Sequence, residues 1–264
     1  MCIRDRSLTG PETDSPAEEL YQSLERQVRT LRPKDAPMRL RRAFEFANSR
    51  HLGQMRESGE PYIVHPLNVA HILAGMQMDQ VCLETGLLHD VLEDTDTTID
   101  ELRKKFGEDV ARCVDGVTKL GKLKFYSQEE RQAESVRKML LAMVDDIRII
   151  LVKLADRIHN MRTLNYLPRD KQERIAQETL EIYAPIAHRL GMGKVRGELE
   201  DLAFLYLKPE EHRELAAQIE SKRLANDEFL SEIQRTVKQK LAAENIAARV
   251  EGRVKRVYSV YQKI

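Results

Sequence analysis

The chain has 264 residues, of which 42% are hydrophobic and 33% charged, a composition that suits a globular protein with one well-packed domain and part of a second. Its 43 basic and 43 acidic residues cancel, so no overall positive field would attract nucleic acid or an anionic membrane, and any phosphate site must be local. No apolar run approaches the roughly 20 residues that span a bilayer, and three scattered cysteines predict neither a disulfide framework nor a thiolate zinc site, which fits a reducing cytoplasm.

The spacing of apolar residues predicts an all-α protein. Aromatic residues make up only 5% of the chain, and long stretches carry apolar residues at intervals of three and four. A lead helix is predicted over residues 16–31, and Pro33 and Pro37 disfavour its continuation. We therefore expect a tail and lead helix over residues 1–37 and a helical core over residues 38–207.

Successive helices are predicted within this core. They cover residues 38–59, a segment that begins at Pro66, the segment around 87–95, and residues 100–120, about 130–145, 147–164 and 178–207. After Pro209 the sequence is charged with a thin apolar stripe, which predicts connecting helices over residues 208–245. Residues 246–264 alternate like a strand and are interpreted as the start of another domain.

The segment LLHDVLEDT combines acidic side chains and a histidine with residues typical of a core. On a helical wheel His89, Asp90, Glu93 and Asp94 share one face, with the leucines and valine opposite. Gly86 falls inside the polar arc, where the lack of a side chain would let another group approach. A solvated surface stripe would have the same pattern, but the neighbouring His89 and Asp90 can both reach one divalent cation.

A second candidate ligand lies in LVKLADRIHNMRTL. Asp156 points away from the apolar stripe of this predicted helix, and Lys153, Asn160 and Thr163 lie on the same side. A lysine, an amide and a hydroxyl beside an aspartate suit an anionic or polar ligand. Asp156 is equally compatible with a simple ion pair to Lys153 or Arg157.

A third candidate lies in GEPYIVHPLNVAHIL. Pro66 suits the first position of a helix, so His65 is predicted at the mouth of that helix, exposed and held by a stiff backbone. His71 and His159 are interpreted as packing or hydrogen-bonding residues. His65 is therefore the better ligand candidate among these histidines.

A histidine, a separate His-Asp pair and a distant aspartate follow the ligand order of the HD superfamily of metal-dependent phosphohydrolases. The motifs SGEPYIVHP, LLHDVLEDT, VDGVTKL, VKLADRIHNMRTL and ETLEIYAPIAHRLGM resemble the hydrolase domain of the Rel/SpoT family. Members of that family make and degrade guanosine tetraphosphate and pentaphosphate, (p)ppGpp. The resemblance covers roughly residues 38–264. It implies an HD-superfamily helical domain, linker helices and the first strand of a truncated α/β synthetase domain over residues 246–264.

The resemblance also implies roles for individual residues. The implied ligands of a manganese ion are His65, His89, Asp90 and Asp156. The implied catalytic pair is Glu93 and Asp94, and the implied guanosine contacts are Arg56, Asn160 and Thr163. Glu57 stands where some family members have a lysine, so less help from a cation is expected beside the catalytic pair.

Two imidazoles and two carboxylates also suit a divalent transition metal on chemical grounds, and four ligands leave positions open for water and a phosphate oxygen. Glu93 or Asp94, one turn away, would orient that water or take its proton. The predicted reaction is hydrolysis of (p)ppGpp to GDP or GTP and pyrophosphate. Two alternatives remain open: an HD phosphohydrolase that acts on another nucleotide, and a regulatory domain that binds the alarmone without turnover.

The final segment GRVKRVYSVYQKI resembles the opening of the family's synthetase domain. It stops before the residues that bind ATP and magnesium in that domain, so synthetase activity is not expected from this chain. Regulatory proteins or the ribosome would bind through other parts of a full-length protein.

Overall fold

A computed structural model describes residues 16–32, 37–121, 145–250 and 255–264. These ranges are predominantly helical and contain no strand; one isolated bridge joins Met55 and Pro61. No helix within them has the length and apolar character needed to cross a membrane. The prediction of an all-α fold is confirmed.

The chain divides into two compact units, Met1–Tyr166 and Leu167–Ile264. The helices of the first unit are α1 (Pro16–Leu31), α2 (Pro37–Arg50), α3 (Val64–Gly75), α4 (Gln80–Leu88), α5 (Val91–Asp94), α6 (Ile99–Phe106), α7 (Glu108–Gly121) and α8 (Ile147–Arg162), with a 3₁₀ turn at Leu164–Tyr166. The predicted lead helix matches α1, and the helix predicted over 147–164 matches α8. The helix predicted near 130–145 falls almost entirely outside the described residues.

Helix α3 packs against α1, α4 and α8 in the first unit. Its side chains Leu67, Val69 and Leu73 are fully buried in the core. Helix α4 approaches it closely at Gly86, where an added Cβ would lie 2.6 Å from Leu73 Cδ1. The expectation that Gly86 leaves room for a ligand is therefore wrong, because this glycine faces the core and makes room for α3.

Several of the predicted helices are shorter or divided, including the one predicted over residues 178–207, which is interrupted between Arg189 and Gly193. The helix predicted over residues 38–59 ends at Arg50, and the chain continues through turns up to α3. The helix predicted over residues 100–120 is divided into α6 and α7 by Gly107. Gly107 has a φ of +92°, a conformation that favours glycine, and its N–H donates to the carbonyl of Arg103.

Helix α8 begins at a charged N-cap. Asp146 Oδ1 accepts a hydrogen bond from the backbone N–H of Arg148 at 3.0 Å, and its Oδ2 pairs with the Arg148 guanidinium at 2.6 Å. Arg112 of α7 reaches the same oxygen at 3.3 Å. The hydrogen bonds from Arg148 outweigh the effect of burial and lower the pKa of Asp146 to about 2. Asp146 is therefore ionised, and its carboxylate stabilises the start of α8.

The second unit is also helical. It contains α9 (Arg169–Glu178), a π-helical segment at Thr179–Tyr183, α10 (Ala184–Arg189), α11 (Gly193–Leu207), α12 (Pro209–Ala243) and α13 (Val257–Tyr261). The connecting helices predicted over 208–245 form the single long helix α12. The strand predicted over 246–264 is wrong within the described residues, because residues 246–250 have no regular structure and Val257–Tyr261 forms α13.

The apolar residues of α13 fit a helix as well as a strand. Tyr258 and Tyr261 are three positions apart and place their rings 5.6 and 4.5 Å from the ring of Phe204 in α11. The backbone N–H of Tyr258 donates to Asp201 Oδ1 at 2.9 Å. Lys208 donates to the hydroxyl of Tyr261 at 2.6 Å. These contacts stabilise a helical turn, and no neighbouring strand is described that could satisfy an extended backbone.

Candidate metal centre

The four residues implied as metal ligands lie together in the first unit. His65 Nε2 lies 3.3 Å from Asp156 Oδ1 and 3.5 Å from Asp90 Oδ2. His89 Nε2 lies 3.1 Å from Asp90 Oδ2. One ligand atom each from His65, His89 and Asp156 lie within 4.8 Å of one another, which makes the group a possible metal site. Segments far apart in sequence are thus brought together by α3, α4 and α8.

His65 is buried rather than exposed, which corrects the sequence-based expectation. Helix α3 begins at Val64, so Pro66 lies inside its first turn and His65 precedes it on the helix. Only 3% of His65 is accessible to solvent. Because α3 packs against three other helices, its first turn is covered and His65 points into the protein.

His89 and Asp90 lie at a break between two helices, not within one continuous helix. Helix α4 ends at Leu88 and α5 begins at Val91, and both of these apolar residues are fully buried. The backbone of His89 and Asp90 stays in the right-handed helical region and their polar side chains meet at 3.1 Å, but Gly86, predicted on the same polar face, packs against α3 instead. The break places both polar side chains at the ends of short helices whose apolar sides are anchored in the core.

The ring of His89 is oriented by the backbone. Its Nδ1 lies 2.9 Å from the carbonyl oxygen of Gly86, and because a carbonyl can only accept, Nδ1 carries the proton. Its Nε2 is buried and lies 3.1 Å from Asp90 Oδ2, but it does not have the geometry of a hydrogen bond to this oxygen or to any other atom in the described part of the chain. A buried Nε2 without a hydrogen bond, beside Asp90, is suited to bind a metal ion, because Nε2 carries a lone pair when the imidazole is neutral.

Charge in the cluster favours a cation. Burial opposes a charge on His89, yet the carboxylates of Asp90 and Asp156 outweigh it and raise the pKa of His89 to about 9. Burial likewise raises the pKa of the Asp90 carboxyl, but the two imidazoles hold it well below its usual range. The carboxylates therefore attract positive charge, which a proton or a divalent cation can supply in competition.

Asp156 is held by two neighbours on α8. Lys153 Nζ donates to its Oδ2 at 2.8 Å, and the amide of Asn160 donates to its Oδ1 at 2.5 Å. Burial raises the pKa of this carboxyl, and Lys153 and His65 outweigh burial and keep it well below its usual range. The interpretation of Asp156 as an ion-pair partner and its interpretation as a candidate ligand are therefore compatible, because Asp156 pairs with Lys153 and also faces His65.

The residues implied as guanosine contacts lie beside this cluster. Arg56 Nη2 donates to Asn160 Oδ1 at 3.0 Å, and its Nη1 lies 3.2 Å from His159 Nδ1. The hydroxyl of Thr163 donates to the carbonyl of His159 at 3.1 Å, at the C-terminal end of α8. Arg56 and Asn160 are therefore brought together, and Thr163 also takes part in capping the helix. Contact of these three residues with a nucleotide remains a prediction.

His71 and His159, both interpreted from the sequence as packing or hydrogen-bonding residues, have different surroundings. His71 bonds to the side chain of Gln27 at 2.8 Å and to the carbonyl of Leu20 at 3.0 Å. His159 Nδ1 instead lies 2.8 Å from Nδ1 of the candidate ligand His65. Burial, followed by the charges near it, lowers the pKa of His159 to about 3, so the ring is neutral.

Tyr62 is a site residue that the sequence did not reveal. Its hydroxyl lies 2.9 Å from Asp90 Oδ2 and 2.7 Å from Asp94 Oδ2. Its ring stacks on His51 with the centroids 4.6 Å apart. Tyr62 thus links a candidate ligand to one member of the implied catalytic pair, while Glu93 is exposed on α5. The motif YIVH, with the tyrosine three residues before His65, was the available signal.

A helical fold with a His, His-Asp and Asp cluster, in which His65, His89 and Asp156 are buried and Asp90 is partly exposed, defines the class of this protein. The chain belongs to the HD domain family, whose model matches residues 43–193. HD domains are metal-dependent, in agreement with the possible metal site.

Individual relatives are similar over most of the chain. It is 49% identical over 245 residues to the bifunctional (p)ppGpp synthase/hydrolase SpoT of Escherichia coli K12, covering 93% of this chain and 35% of that protein. It is 51% identical over 225 residues to the guanosine-3′,5′-bis(diphosphate) 3′-pyrophosphohydrolase of Vibrio cholerae, covering 85% and 32%. It is 50% identical over 228 residues to a GTP pyrophosphokinase of Myxococcus xanthus, covering 85% and 30%. The chain thus spans about a third of the length of these curated relatives.

Proposed function

We propose that this chain is a manganese-dependent (p)ppGpp 3′-pyrophosphohydrolase. The observation that carries the proposal is the convergence of His65, His89, Asp90 and Asp156, with the buried Nε2 of His89 left without a hydrogen bond in the described ranges. The similarity to relatives named as SpoT and as 3′-pyrophosphohydrolase supports this substrate.

In this proposal the four ligands hold one Mn²⁺ ion. When bound, the ion would lower the pKa of water and offset negative charge that develops on phosphorus. Mixed nitrogen and oxygen ligands are compatible with several divalent transition metals, so manganese rests on the family resemblance. The carboxylates of Asp90 and Asp156 supply negative charge, and the histidines supply neutral nitrogen donors.

Asp94 and Glu93 are the proposed proton acceptors for the attacking water. The Asp94 carboxylate is fixed by the hydroxyl of Tyr62, and the exposed Glu93 lies one residue before it on α5. Water attacks the phosphorus bonded to the ribose 3′ oxygen, the bond between them breaks, and the 3′ oxygen gains a proton. The products are pyrophosphate and GDP from ppGpp, or GTP from pppGpp.

The proposed guanosine contacts are Arg56, Asn160 and Thr163. Arg56 and Asn160 are already hydrogen-bonded to each other, so a nucleotide would meet a cation and an amide held in place. Asn160 lies about one turn, and Thr163 about two turns, along α8 from Asp156, which suits a substrate with its pyrophosphate at the cluster and its base nearby. A cytoplasmic location is part of the proposal, and the free, buried thiols of Cys82 and Cys113 support it.

The test is to incubate the chain with ppGpp and Mn²⁺ and measure pyrophosphate and GDP together. Equal amounts of both products are expected, with none after chelation of the metal. A folded protein that binds Mn²⁺ and ppGpp without releasing pyrophosphate would contradict the proposal and favour a binding-only domain. Faster turnover of another nucleotide in a substrate panel would favour a different HD phosphohydrolase. GTP pyrophosphokinase activity is expected to be absent when the chain is given ATP, GTP and Mg²⁺.

A further inference from the structure

His159 lies between a candidate metal ligand and a fixed cation. Its Nδ1 is 2.8 Å from Nδ1 of His65 and 3.2 Å from Nη1 of Arg56, so the one lone pair of this nitrogen is shared between two possible donors. The Arg56 guanidinium is held in turn by its hydrogen bond to Asn160 at 3.0 Å. His159 is only 7% exposed, so water has little access to compete for these bonds.

The neighbour Arg56 decides the direction of these hydrogen bonds. A guanidinium has only donors, so the Nδ1 atom of His159 that faces it must be an acceptor without a proton. The bond between the two imidazoles then requires the proton to be on His65 Nδ1. In the reverse arrangement, an N–H of His159 would point at an N–H of a positively charged group.

The location of that proton decides which atom of His65 can bind a cation. A neutral imidazole has one N–H, so a proton on Nδ1 leaves a lone pair on Nε2. His65 Nε2 is the atom that faces Asp156 and Asp90 at 3.3 and 3.5 Å. Without a cation these carboxylates favour a proton on Nε2, and the tautomer with that proton could not bind a metal ion. The contact with His159 opposes this tautomer, because it favours a proton on Nδ1 of His65.

We propose that His159 is a positioning residue that, held by Arg56, fixes His65 in the tautomer that presents Nε2 to a metal ion. The carbonyl of Gly86 fixes Nδ1 of His89 in the same way, so both candidate imidazole ligands have an acceptor behind them. The proposal rests on the metal site of the proposed function and adds a residue that does not itself bind the ion.

The first test is to observe the histidine protons directly by long-range ¹H–¹⁵N NMR, in the metal-free chain and after addition of Zn²⁺, which is diamagnetic. We expect His159 Nδ1 to carry no proton in either state and His65 to carry its proton on Nδ1. A proton on His159 Nδ1 would overturn the proposal. This result does not depend on hydrolysis, so it can fail or succeed separately from the proposed activity.

The second test compares Mn²⁺ affinity in His159→Phe and His159→Asn, measured from the electron paramagnetic resonance signal of free Mn²⁺. Phe keeps a planar ring but has no acceptor, and we expect its Kd to rise about 10- to 100-fold, as for other partners behind metal-bound histidines. Asn places an acceptor near the position of Nδ1 and should restore most of the affinity. The control is His71→Asn, which alters a histidine bonded elsewhere and should leave affinity unchanged.

Equal affinity of the Phe variant and the unaltered chain would contradict the proposal. Equal loss in the Phe and Asn variants would also contradict it, because ring packing rather than the acceptor would then be responsible. If His159→Phe loses its helical circular dichroism, the NMR result on the unaltered chain decides. Mn²⁺ binding without hydrolysis would count against the proposed function alone, whereas failure to bind metal at all would overturn both.

Discussion

The Nδ1 atom of His89 lies 2.9 Å from the carbonyl oxygen of Gly86, one turn earlier in the chain. This bond requires a proton on Nδ1 and turns the opposite nitrogen toward Asp90, where it can hold either a proton or a metal ion. The backbone of α4 therefore orients a candidate ligand without help from another side chain.

Substitutions at Asp90 and Glu93 should separate metal binding from turnover. Asp90→Ala removes a proposed ligand, so we expect both Mn²⁺ and hydrolysis of ppGpp to be lost. Glu93→Ala removes a proposed proton acceptor, so metal affinity should stay the same while kcat falls about 100-fold or more. The matched control is Asp96→Ala, an exposed carboxylate close to both. Near-normal kcat in Glu93→Ala would show that the catalytic assignment is wrong.

Tyr62→Phe tests the link between Asp90 and Asp94. The substitution keeps the ring that stacks on His51 and removes the hydroxyl, whose one proton is shared between the Asp90 and Asp94 carboxylates at 2.9 and 2.7 Å. Burial and the nearby Asp90 raise the pKa of Tyr62, so the hydroxyl is a donor at every pH used for assays. Because the carboxylates lose a donor that orients them, we expect kcat to fall about 10-fold or more, in the range found for outer-shell partners. If both kcat and Mn²⁺ affinity were unchanged, Tyr62 would have no role in the site.

Asp146→Asn tests the charged cap of α8. The pKa of Asp146 is lowered from an ordinary 3.8 to about 2, so its charge stabilises the fold above pH 4 by about 2 kcal/mol. We expect the Asn variant to open α8 more easily at pH 7, as measured by native-state hydrogen exchange of its amides. The difference from the unaltered chain should shrink as pH falls from about 4 toward 2, because Asp146 then becomes neutral.

Asp146→Ala is the companion variant because it also removes the cap acceptor for the N–H of Arg148. A further loss of about 1 kcal/mol is expected relative to Asn. This additional loss should persist at low pH, since a hydrogen-bond acceptor rather than a charge is missing. Equal protection of α8 in all three chains at pH 7 would contradict the proposed role of the cap.

Gly86→Ala tests the close approach of α3 and α4. The new Cβ would lie 2.6 Å from Leu73 Cδ1, and because Leu73 is fully buried it cannot turn away into solvent. We expect a loss of about 1–3 kcal/mol in the free energy of unfolding, measured with urea. The control Gly75→Ala lies at the end of α3, where the nearest atom is Gln27 Nε2 at 3.5 Å. The control should be neutral or slightly stabilising; equal effects of the two would exclude crowding at position 86.

The helices and the ligand set were predictable for different reasons. Helix α1 has the bounds expected from apolar spacing and flanking prolines, because those signals are local. The ligands come from three distant segments, and only the resemblance to a family related them before the structure did. Spacing on one helix could associate Asp156 with Lys153 and Asn160, and both contacts are present.

The wrong predictions concern residues whose packing or hydrogen-bonding partner is not determined by the local sequence pattern. The strand expected near the end became α13, because Tyr258 and Tyr261 also match a helical spacing and stack on Phe204. His65 was expected to be exposed, since a sequence does not reveal that α3 is covered on several sides. The bonds of Tyr62 and His159 depend on ring orientation, which sequence spacing leaves undetermined.

Gly86 also bears on which ions the cluster could accept. The rings of His65 and His89 have centroids 5.1 Å apart, and they are carried by α3 and by the end of α4. The separation of these two helices is limited by contact between Leu73 and a residue with no side chain. A larger residue at position 86 would widen the gap between the imidazoles and favour an ion of larger radius. Ion selectivity would then be determined partly in the hydrophobic core, by a residue that never touches the ion.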